Sequence, residues 1–190
     1  PFSGNFVQRH IQTIALQHKV TLLNVESKEG ISKIEYEKIV TGNLTEFFVR
    51  YPKKKSILSN LLLSFRAFRK ALKQIDPPDL IHGHIILSKG LQFILAKKHF
   101  RKPLVLSEHA SYFCDNKRNQ WNFFEKFVIS TLVRKSTKIT CVSAILKRDM
   151  LKYNPRLQIE LVPNVVSPVF FEKTTKNTSY KSDNVITQFI

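Results

Sequence analysis

Three of the six histidines stand at the ends of two short apolar segments. His82 and His84 close one segment, and His109 follows the next. If these segments are strands, alternation places His82 and His84 on one face, with Gly83 opposite. Imidazoles gathered in this way can bind a metal ion, or they can serve as hydrogen-bonding and proton-transfer groups. Because their spacing lacks the pattern of Cys/His zinc motifs, we favour the second role and expect no metal.

Polar residues follow other apolar segments in the same way. In open α/β sheets the ligand crevice lies beyond the carboxyl ends of the strands, so residues at these ends are candidates for substrate binding. Besides the histidines, they are Ser107, Glu108, Ser143 and Asn164. At the start of the chain Gly4 and Asn5 open a predicted helix, where a small residue lets backbone N–H groups approach a phosphate.

The two cysteines give no support to nucleophilic catalysis. Cys114 lies in a predicted loop past His109, but no assembled triad follows from that position. Cys141 falls inside an apolar segment, where we expect a core residue. Two cysteines also cannot form a disulfide framework.

Apolar periodicity assigns the elements that must position these residues. A turn pair at residues 42–43 predicts a β-hairpin. Because strands separated by helices imply βαβ units, we predict an α/β fold with a mostly parallel sheet and a β-hairpin extension. The predicted helices cover 5–17, 55–75, 88–99, 119–135 and 144–153, and the predicted strands cover 20–25, 33–40, 44–51, 80–84, 104–109, 138–142 and 159–162.

The chain is strongly basic, with 31 Lys and Arg against 14 Asp and Glu in 190 residues and a formal net charge of +17. A hydrophobic content of 43% excludes a disordered basic tail. The sequence has no secretory signal peptide, and no segment reaches the ~20 apolar residues that span a bilayer, so we expect a cytoplasmic protein. The positive field favours nucleic acid, an anionic membrane surface or phosphorylated small molecules as partners.

The predicted helix over 55–75 carries both apolar and basic residues. Its apolar stripe contains Ile57, Leu58, Leu61, Leu62, Phe65, Phe68, Leu72 and Ile75. The basic residues opposite, at the flank or just before the helix are Lys53, Lys54, Lys55, Arg66, Arg69, Lys70 and Lys73. The simplest interpretation is a helix packed on a sheet with a solvated basic face. A more specific interpretation adds contact between the basic face and anionic lipid, which contributes ~1 kcal/mol of binding free energy per Lys or Arg. In this interpretation Leu63 is available to insert into the bilayer.

Five segments together resemble the amino-terminal domain of family 4 glycosyltransferases of the GT-B fold. They are PFSGNF at 1–6, PDLIHGH at 78–84, PLVLSEH at 103–109, KITCVS at 138–143 and IELVPN at 159–164. The resemblance covers about residues 1–171 and implies a Rossmann-like, three-layer α/β/α domain whose opening strand is missing. It also implies that residues 172–190 are a linker and the beginning of a carboxy-terminal donor-binding domain.

The resemblance implies an activity. Enzymes of this family transfer a sugar from a nucleotide-activated donor to an acceptor with retention of configuration, usually without a metal. The partners would be a nucleotide-sugar as co-substrate, with no cofactor, and a glycan or lipid-linked acceptor of a bacterial cell envelope. We therefore expect a protein that is peripheral on the inner face of the plasma membrane. Because the family's donor-binding residues belong to the second domain, we expect this chain alone to be inactive.

The resemblance also assigns roles to residues. His109 would be the catalytic residue beside the transferred sugar, and His84 would line the acceptor side. Gly4 and Asn5 would lie near the donor phosphates and the acceptor, and Asn164 where the chain turns towards the second domain. The sequence departs from the family in two loops, because Gly4 is a single glycine where two are common and Asn164 is followed by valine rather than glycine.

Two other interpretations stay open at this point. The high positive charge would suit a nucleic-acid-binding module, although the sequence contains no helix-turn-helix, RNA-recognition or zinc signature, so we expect no nucleic acid partner. The chain could also be half of another two-domain sugar-nucleotide enzyme, such as an epimerase.

Overall fold

Strands and helices alternate along the chain in the computed structural model, which describes residues 5–109, 111–113 and 119–164. The helices are α1 (Asn5–Ala15), α2 (Ile57–Leu72), α3 (Ile86–Phe100), α4 (Phe123–Lys135) and α5 (Ala144–Tyr153), with a short 3-10 turn at Ser111–Phe113. The strands are β1 (Val20–Lys28), β2 (Glu35–Thr41), β3 (Leu44–Pro52), β4 (Ile81–His84), β5 (Leu104–Glu108), β6 (Lys138–Cys141) and β7 (Ile159–Leu161). No helix within these ranges is long and apolar enough to cross a bilayer.

The second half of the chain forms a four-stranded sheet in the order β4-β5-β6-β7. All three pairings are parallel, as the alternation of strands and helices predicts. The register sets His84 opposite Ser107 and Glu108 opposite Cys141. The carboxyl ends of these strands therefore meet along one edge, and the predicted Rossmann-like α/β/α architecture is confirmed.

The first half forms a separate three-stranded sheet in the order β1-β3-β2. Strands β2 and β3 make the predicted antiparallel hairpin, and Gly42 in its turn has a φ of +58°, which glycine adopts without strain. Strand β1 pairs in parallel with β3. Each half has a hydrophobic cluster, one around Val49 and Phe68 and the other around Leu106 and Leu132. The contacts that join the halves include Ile81, which packs against both clusters, and Lys89, whose Nζ donates to the Val25 carbonyl oxygen at 3.2 Å.

Helix α3 packs between α2 and α4. On one side, Gln92 Nε2 donates to Ser64 Oγ of α2 at 3.2 Å. On the other side, Gly90 lies so close to α4 that a Cβ there would stand 2.6 Å from both Leu132 Cδ1 and Val128 Cγ1. Positions 90 and 92 are about 200° apart around a helix, so α2 and α4 flank α3 on opposite sides.

Helix α4 begins at Phe123, four residues later than the pattern predicts. Asn122 caps it, because its side-chain oxygen accepts from the Glu125 amide at 2.9 Å while the Glu125 carboxylate accepts from the Asn122 amide at 2.8 Å. This reciprocal pair satisfies two amides that would otherwise lack partners, and so fixes the start of the helix.

The buried face of α2 agrees only in part with the predicted one, in which Phe68 and Leu72 were expected to be buried. Its buried residues are Ala67, Phe68, Ala71 and Leu72. Leu63 packs against the hydrophobic cluster around Val49 and Phe68, so the expectation that it would insert into lipid is wrong. Ile57, Leu58, Leu61 and Leu62 are instead exposed. The buried face is turned towards the two alanines, which are fully buried.

The contact between α3 and α4 gives a prediction for stability. Alanine normally stabilises a helix relative to glycine by about 1 kcal/mol. At Gly90 we expect the reverse, because the added methyl group overpacks Val128 and Leu132. Gly90→Ala should lower the free energy of unfolding by about 1–2 kcal/mol in urea titrations.

The matched comparison is the double variant Gly90→Ala/Val128→Ala. Removing Val128 Cγ1 makes room for the new Cβ, so Gly90→Ala should cost less in this background than in the wild type. A stabilising effect of Gly90→Ala by itself would contradict the described packing.

Candidate active site

Four histidines meet at the carboxyl ends of β4 and β5. The ring centroids of His82 and His84 are 4.2 Å apart, and those of His84 and His109 are 5.3 Å apart. The fourth is His10 of α1, whose ring lies edge-on to His109 at 5.9 Å and to His84 at 6.5 Å. The structure thus brings together the three predicted histidines and adds one from a distant part of the chain.

Gly83 determines which way the strand histidines face. A Cβ at this position would lie 2.9 Å from Phe93 of α3 and 3.0 Å from Leu106 of β5, so α3 covers this side of the strand closely. Alternation then turns His82 and His84 to the other side of the sheet, where α1 supplies His10. The predicted arrangement of these three neighbours is confirmed.

One hydrogen-bond chain links β4, β5 and the segment after β7. His84 Nδ1 lies 3.1 Å from His109 Nε2, and His109 Nδ1 lies 3.2 Å from Asn164 Oδ1. With the Asn164 oxygen as acceptor, His109 carries its proton on Nδ1 and accepts at Nε2 from the Nδ1–H of His84. The lone pair of His84 then resides on its Nε2, the other ring nitrogen.

A second chain crosses three strands. His82 Nε2 lies 2.7 Å from Ser107 Oγ, which in turn lies 2.7 Å from Thr140 Oγ1. Ring nitrogens of His82, His84 and His109 are therefore engaged with hydroxyl, imidazole and amide partners. Among the described residues, no group of three or more His, Cys, Asp or Glu side chains is arranged to hold a metal ion.

The imidazoles are held in the neutral form. Burial, followed by the proximity of His10, lowers the pKa of His82 to about 4. Burial, reinforced by the three other histidines, lowers the pKa of His84 to about 2. For His109, burial and nearby His10 outweigh the opposing Asn164 hydrogen bond and lower the pKa to about 4. At neutral pH the cluster therefore presents uncharged donors and acceptors, which suit hydroxyl groups.

Glu108 fixes the backbone around the cluster. Its side chain is fully buried, with Oε2 accepting from the Ile86 amide and Oε1 from the His109 amide, both at 3.0 Å. Between the strand and α3, Ile85 adopts a φ of +61°, which is strained for a β-branched residue, and its amide donates to the Ser107 carbonyl at 3.0 Å. The carboxylate thus positions residues at the site, and its predicted contact with substrate stays a prediction.

The other predicted site residues have different placements. Ser143 caps α5, accepting from the Leu146 amide at 3.2 Å, as its position before a helix predicts. Asn164 lies at the cluster through His109. Asn5 is the first residue of α1, and Gly4 lies outside the described residues, as does Cys114. Cys141 is buried in the core, as predicted.

Sequence reasoning missed His10 as a site residue. It lies on the apolar stripe of α1 and is only 9% exposed. The available signal was a polar imidazole at a position of the helix where the pattern requires a core residue. Burial lowers its pKa too, so His10 also favours the neutral form.

Comparison with known proteins identifies the family. Residues 5–170 match the family model described as Glycosyltransferase Family 4. The match includes every helix and strand of the described chain and all four clustered histidines. No curated protein matches the chain.

The neutral cluster predicts how stability depends on pH. An exposed histidine in the unfolded chain titrates near 6.5, whereas the folded cluster titrates at about 4 or below, so unfolding takes up protons between these values. The stabilisation is fully present above pH 6.5 and is lost as the pH falls towards 4. We expect urea titrations to give a free energy of unfolding that changes little between pH 7 and 6.5 and then falls towards pH 5, by about 1.4 kcal/mol per pH unit for each histidine involved.

The variant His82→Gln tests the assignment. It removes one of the buried imidazoles, so one proton fewer is taken up on unfolding. The free energy of unfolding should therefore depend less steeply on pH between 6.5 and 5, by about 1.4 kcal/mol per pH unit. A stability that is constant over this range in the wild type, or a slope that His82→Gln leaves unchanged, would contradict the buried neutral cluster.

The buried carboxylate gives a further prediction. Glu108→Gln keeps the shape of the side chain but presents an NH₂ group to one of the two backbone amides. We expect a loss of about 1–3 kcal/mol in the free energy of unfolding, because one buried donor is left unsatisfied. The matched control is Glu160→Gln on the exposed side of β7, which should change stability by less than about 0.5 kcal/mol. Equal effects of the two substitutions would contradict the described role.

Proposed function

Because the chain belongs to glycosyltransferase family 4, we propose that it is the acceptor-side domain of a retaining glycosyltransferase. The enzyme moves a sugar from a nucleotide-sugar donor to a glycan or lipid-linked acceptor of the cell envelope. The single observation that supports this assignment within the family is the His84–His109–Asn164 chain of neutral hydrogen-bonding groups at the carboxyl ends of the strands. This edge is where open α/β sheets bind their ligands.

The chemistry of the cluster suits a sugar. Each hydroxyl group of a sugar needs both an acceptor and a donor, and a neutral imidazole supplies one of each. In the proposed complex, a sugar hydroxyl replaces His84 as the donor to His109 Nε2, while the Asn164 oxygen keeps the His109 ring in this tautomer. His84, released from His109, lines the acceptor side with its other nitrogen.

In the proposed enzyme, groups outside the histidine cluster stabilise the negative charge of the leaving group. Transfer leaves a nucleoside diphosphate, whose negative charge needs cations or N–H groups to stabilise it. The neutral histidines do not provide positive charge at pH 7. We therefore assign this task to the start of α1, at Gly4 and Asn5, and to a carboxy-terminal domain of the same polypeptide. The nucleotide-sugar is a co-substrate, and the proposal includes no cofactor and no metal.

The proposal predicts the effect of removing His109. In the polypeptide that includes the carboxy-terminal domain, release of nucleoside diphosphate would be followed with UDP-glucose, UDP-N-acetylglucosamine and GDP-mannose in the presence of polyprenyl-phosphate-linked and free glycan acceptors. His109→Ala should lower kcat/KM by about 100-fold, as expected when a prepositioned group at the reacting centre is lost.

The matched control is His99→Ala. His99 is an exposed histidine near the opposite end of α3, beside Arg101, so its removal should leave kcat/KM unchanged. A wild-type rate in His109→Ala, or equal losses in both variants, would contradict the proposed site. The chain of residues 1–190 alone should release no nucleoside diphosphate under the same conditions.

A further inference from the structure

The first two turns of α2 expose an unusual amount of aliphatic surface. The exposed fractions are 87% for Ile57, 65% for Leu58, 42% for Leu61 and 61% for Leu62. We call these four residues the α2 patch. Contiguous exposed apolar groups of this kind mark a surface that contacts another apolar phase.

A second exposed apolar group opens α4. Phe123 is 86% exposed, Phe124 54% and Phe127 57%, and we call them the α4 patch. Neither patch belongs to the two hydrophobic clusters of the described chain. The patches therefore stand free on the two helices that flank α3.

The two patches lie at the same level of the fold. Ser64 of α2 is hydrogen-bonded to Gln92 of α3. Ile57 lies seven residues before Ser64, and Ile85 lies seven residues before Gln92. At the other end of these helices, Arg69 and Lys73 line one groove with Lys98, so α2 and α3 run in the same direction. Ile57 is therefore level with Ile85, which directly follows His84 at the end of β4.

The same reasoning places the α4 patch. Val128 of α4 lies against Gly90 of α3. Phe123 lies five residues before Val128, and Ile85 lies five residues before Gly90. At the far end, Lys135 lines a groove with Lys98, so α4 also runs parallel to α3. Both patches therefore lie at the rim of the candidate active site, on the side of the sheet that carries these helices.

Lysines are fixed beside the α2 patch. Asn60 holds the preceding loop, because its side chain accepts from the Lys54 amide at 2.7 Å and donates to the Lys54 carbonyl at 2.6 Å. Lys54 and Lys55 are exposed, whereas Lys53 pairs with Glu29 at 2.8 Å. Helix α2 itself contains no Asp or Glu. Aliphatic groups that protrude with lysines at their base match the layering of an anionic bilayer, which is apolar inside and negatively charged at its surface.

We propose that the α2 and α4 patches insert into an anionic membrane surface, with Lys54 and Lys55 contacting the lipid headgroups. The carboxyl-terminal edge of the sheet then faces the bilayer, so that a lipid-linked acceptor reaches His84 around this edge. The nature of this acceptor rests on the proposed function, whereas the membrane contact rests on the patches and lysines alone. Arg66, Arg69, Lys70 and Lys73 are exposed farther along α2 and add long-range attraction.

Co-sedimentation with lipid vesicles tests the contact. We expect the chain to bind phosphatidylcholine vesicles that contain 30% phosphatidylglycerol and to bind pure phosphatidylcholine vesicles at least tenfold more weakly. Three double variants should each bind the anionic vesicles at least tenfold more weakly. They are Ile57→Ser/Leu58→Ser, Phe123→Ser/Phe124→Ser and Lys54→Glu/Lys55→Glu.

The matched control is Leu16→Ser/Val40→Ser, which removes two apolar side chains that are 79% and 63% exposed elsewhere. It should change binding by less than twofold. Equal binding to both kinds of vesicle, binding that the patch variants do not weaken, or no binding would overturn the proposal. A dimer in light scattering that the patch variants dissociate, without vesicle binding, would assign the patches to a second copy of the chain instead.

Insertion is measured separately with Phe123→Trp. The native sequence has one tryptophan, Trp121, which is buried, so the new indole provides the exposed fluorescence. We expect brominated phosphatidylglycerol in the vesicles to quench this signal, and an unquenched indole on bound protein would overturn insertion. Neither measurement involves sugar transfer, so either can fail while the glycosyltransferase proposal stands.

Discussion

The candidate active site depends on one buried carboxylate. Glu108 accepts from the amides that begin α3 and that lead into His109, and so joins the ends of two neighbouring strands. These bonds hold the turn at Ile85 in its strained conformation. Strained backbone of this kind persists only where the surrounding contacts over-determine it. His84, which precedes that turn, and His109, which follows Glu108, thereby acquire fixed positions relative to each other.

The electrostatics of the molecule are divided between its surface and its crevice. The chain carries a net charge of +17, yet the imidazoles of the cluster are kept neutral by burial and by one another. The basic residues lie instead on exposed helices and loops, such as the start and the far end of α2. A neutral crevice on a strongly positive body can select hydroxyl-bearing groups while the body attracts an anionic surface. Membership of glycosyltransferase family 4 fits this division better than the nucleic-acid-binding module that the charge alone would also allow.

Local patterns predicted much of this site, and long-range packing explains what they missed. Strand alternation placed His82 and His84 on one face because the rule concerns only neighbouring residues. His10 was missed because the apolar stripe of α1 marks it only as a buried position, whereas its approach to the cluster depends on tertiary packing. The buried face of α2 was predicted only in part: Phe68 and Leu72 are buried as expected, but large apolar residues dominated the pattern and the fully buried Ala67 and Ala71 were missed. The division into two sheets, with β1 paired in parallel to β3, likewise depends on pairing between distant segments.

The central claim is that neutral imidazoles, linked to each other and to Asn164, form the ligand-binding edge of the sheet. The most direct measurement is a long-range ¹H–¹⁵N spectrum of the histidine rings at pH 6. The account predicts that His84 and His109 each show one protonated and one unprotonated nitrogen, with the His109 proton on Nδ1. Protonation of both nitrogens in either ring at this pH would contradict it.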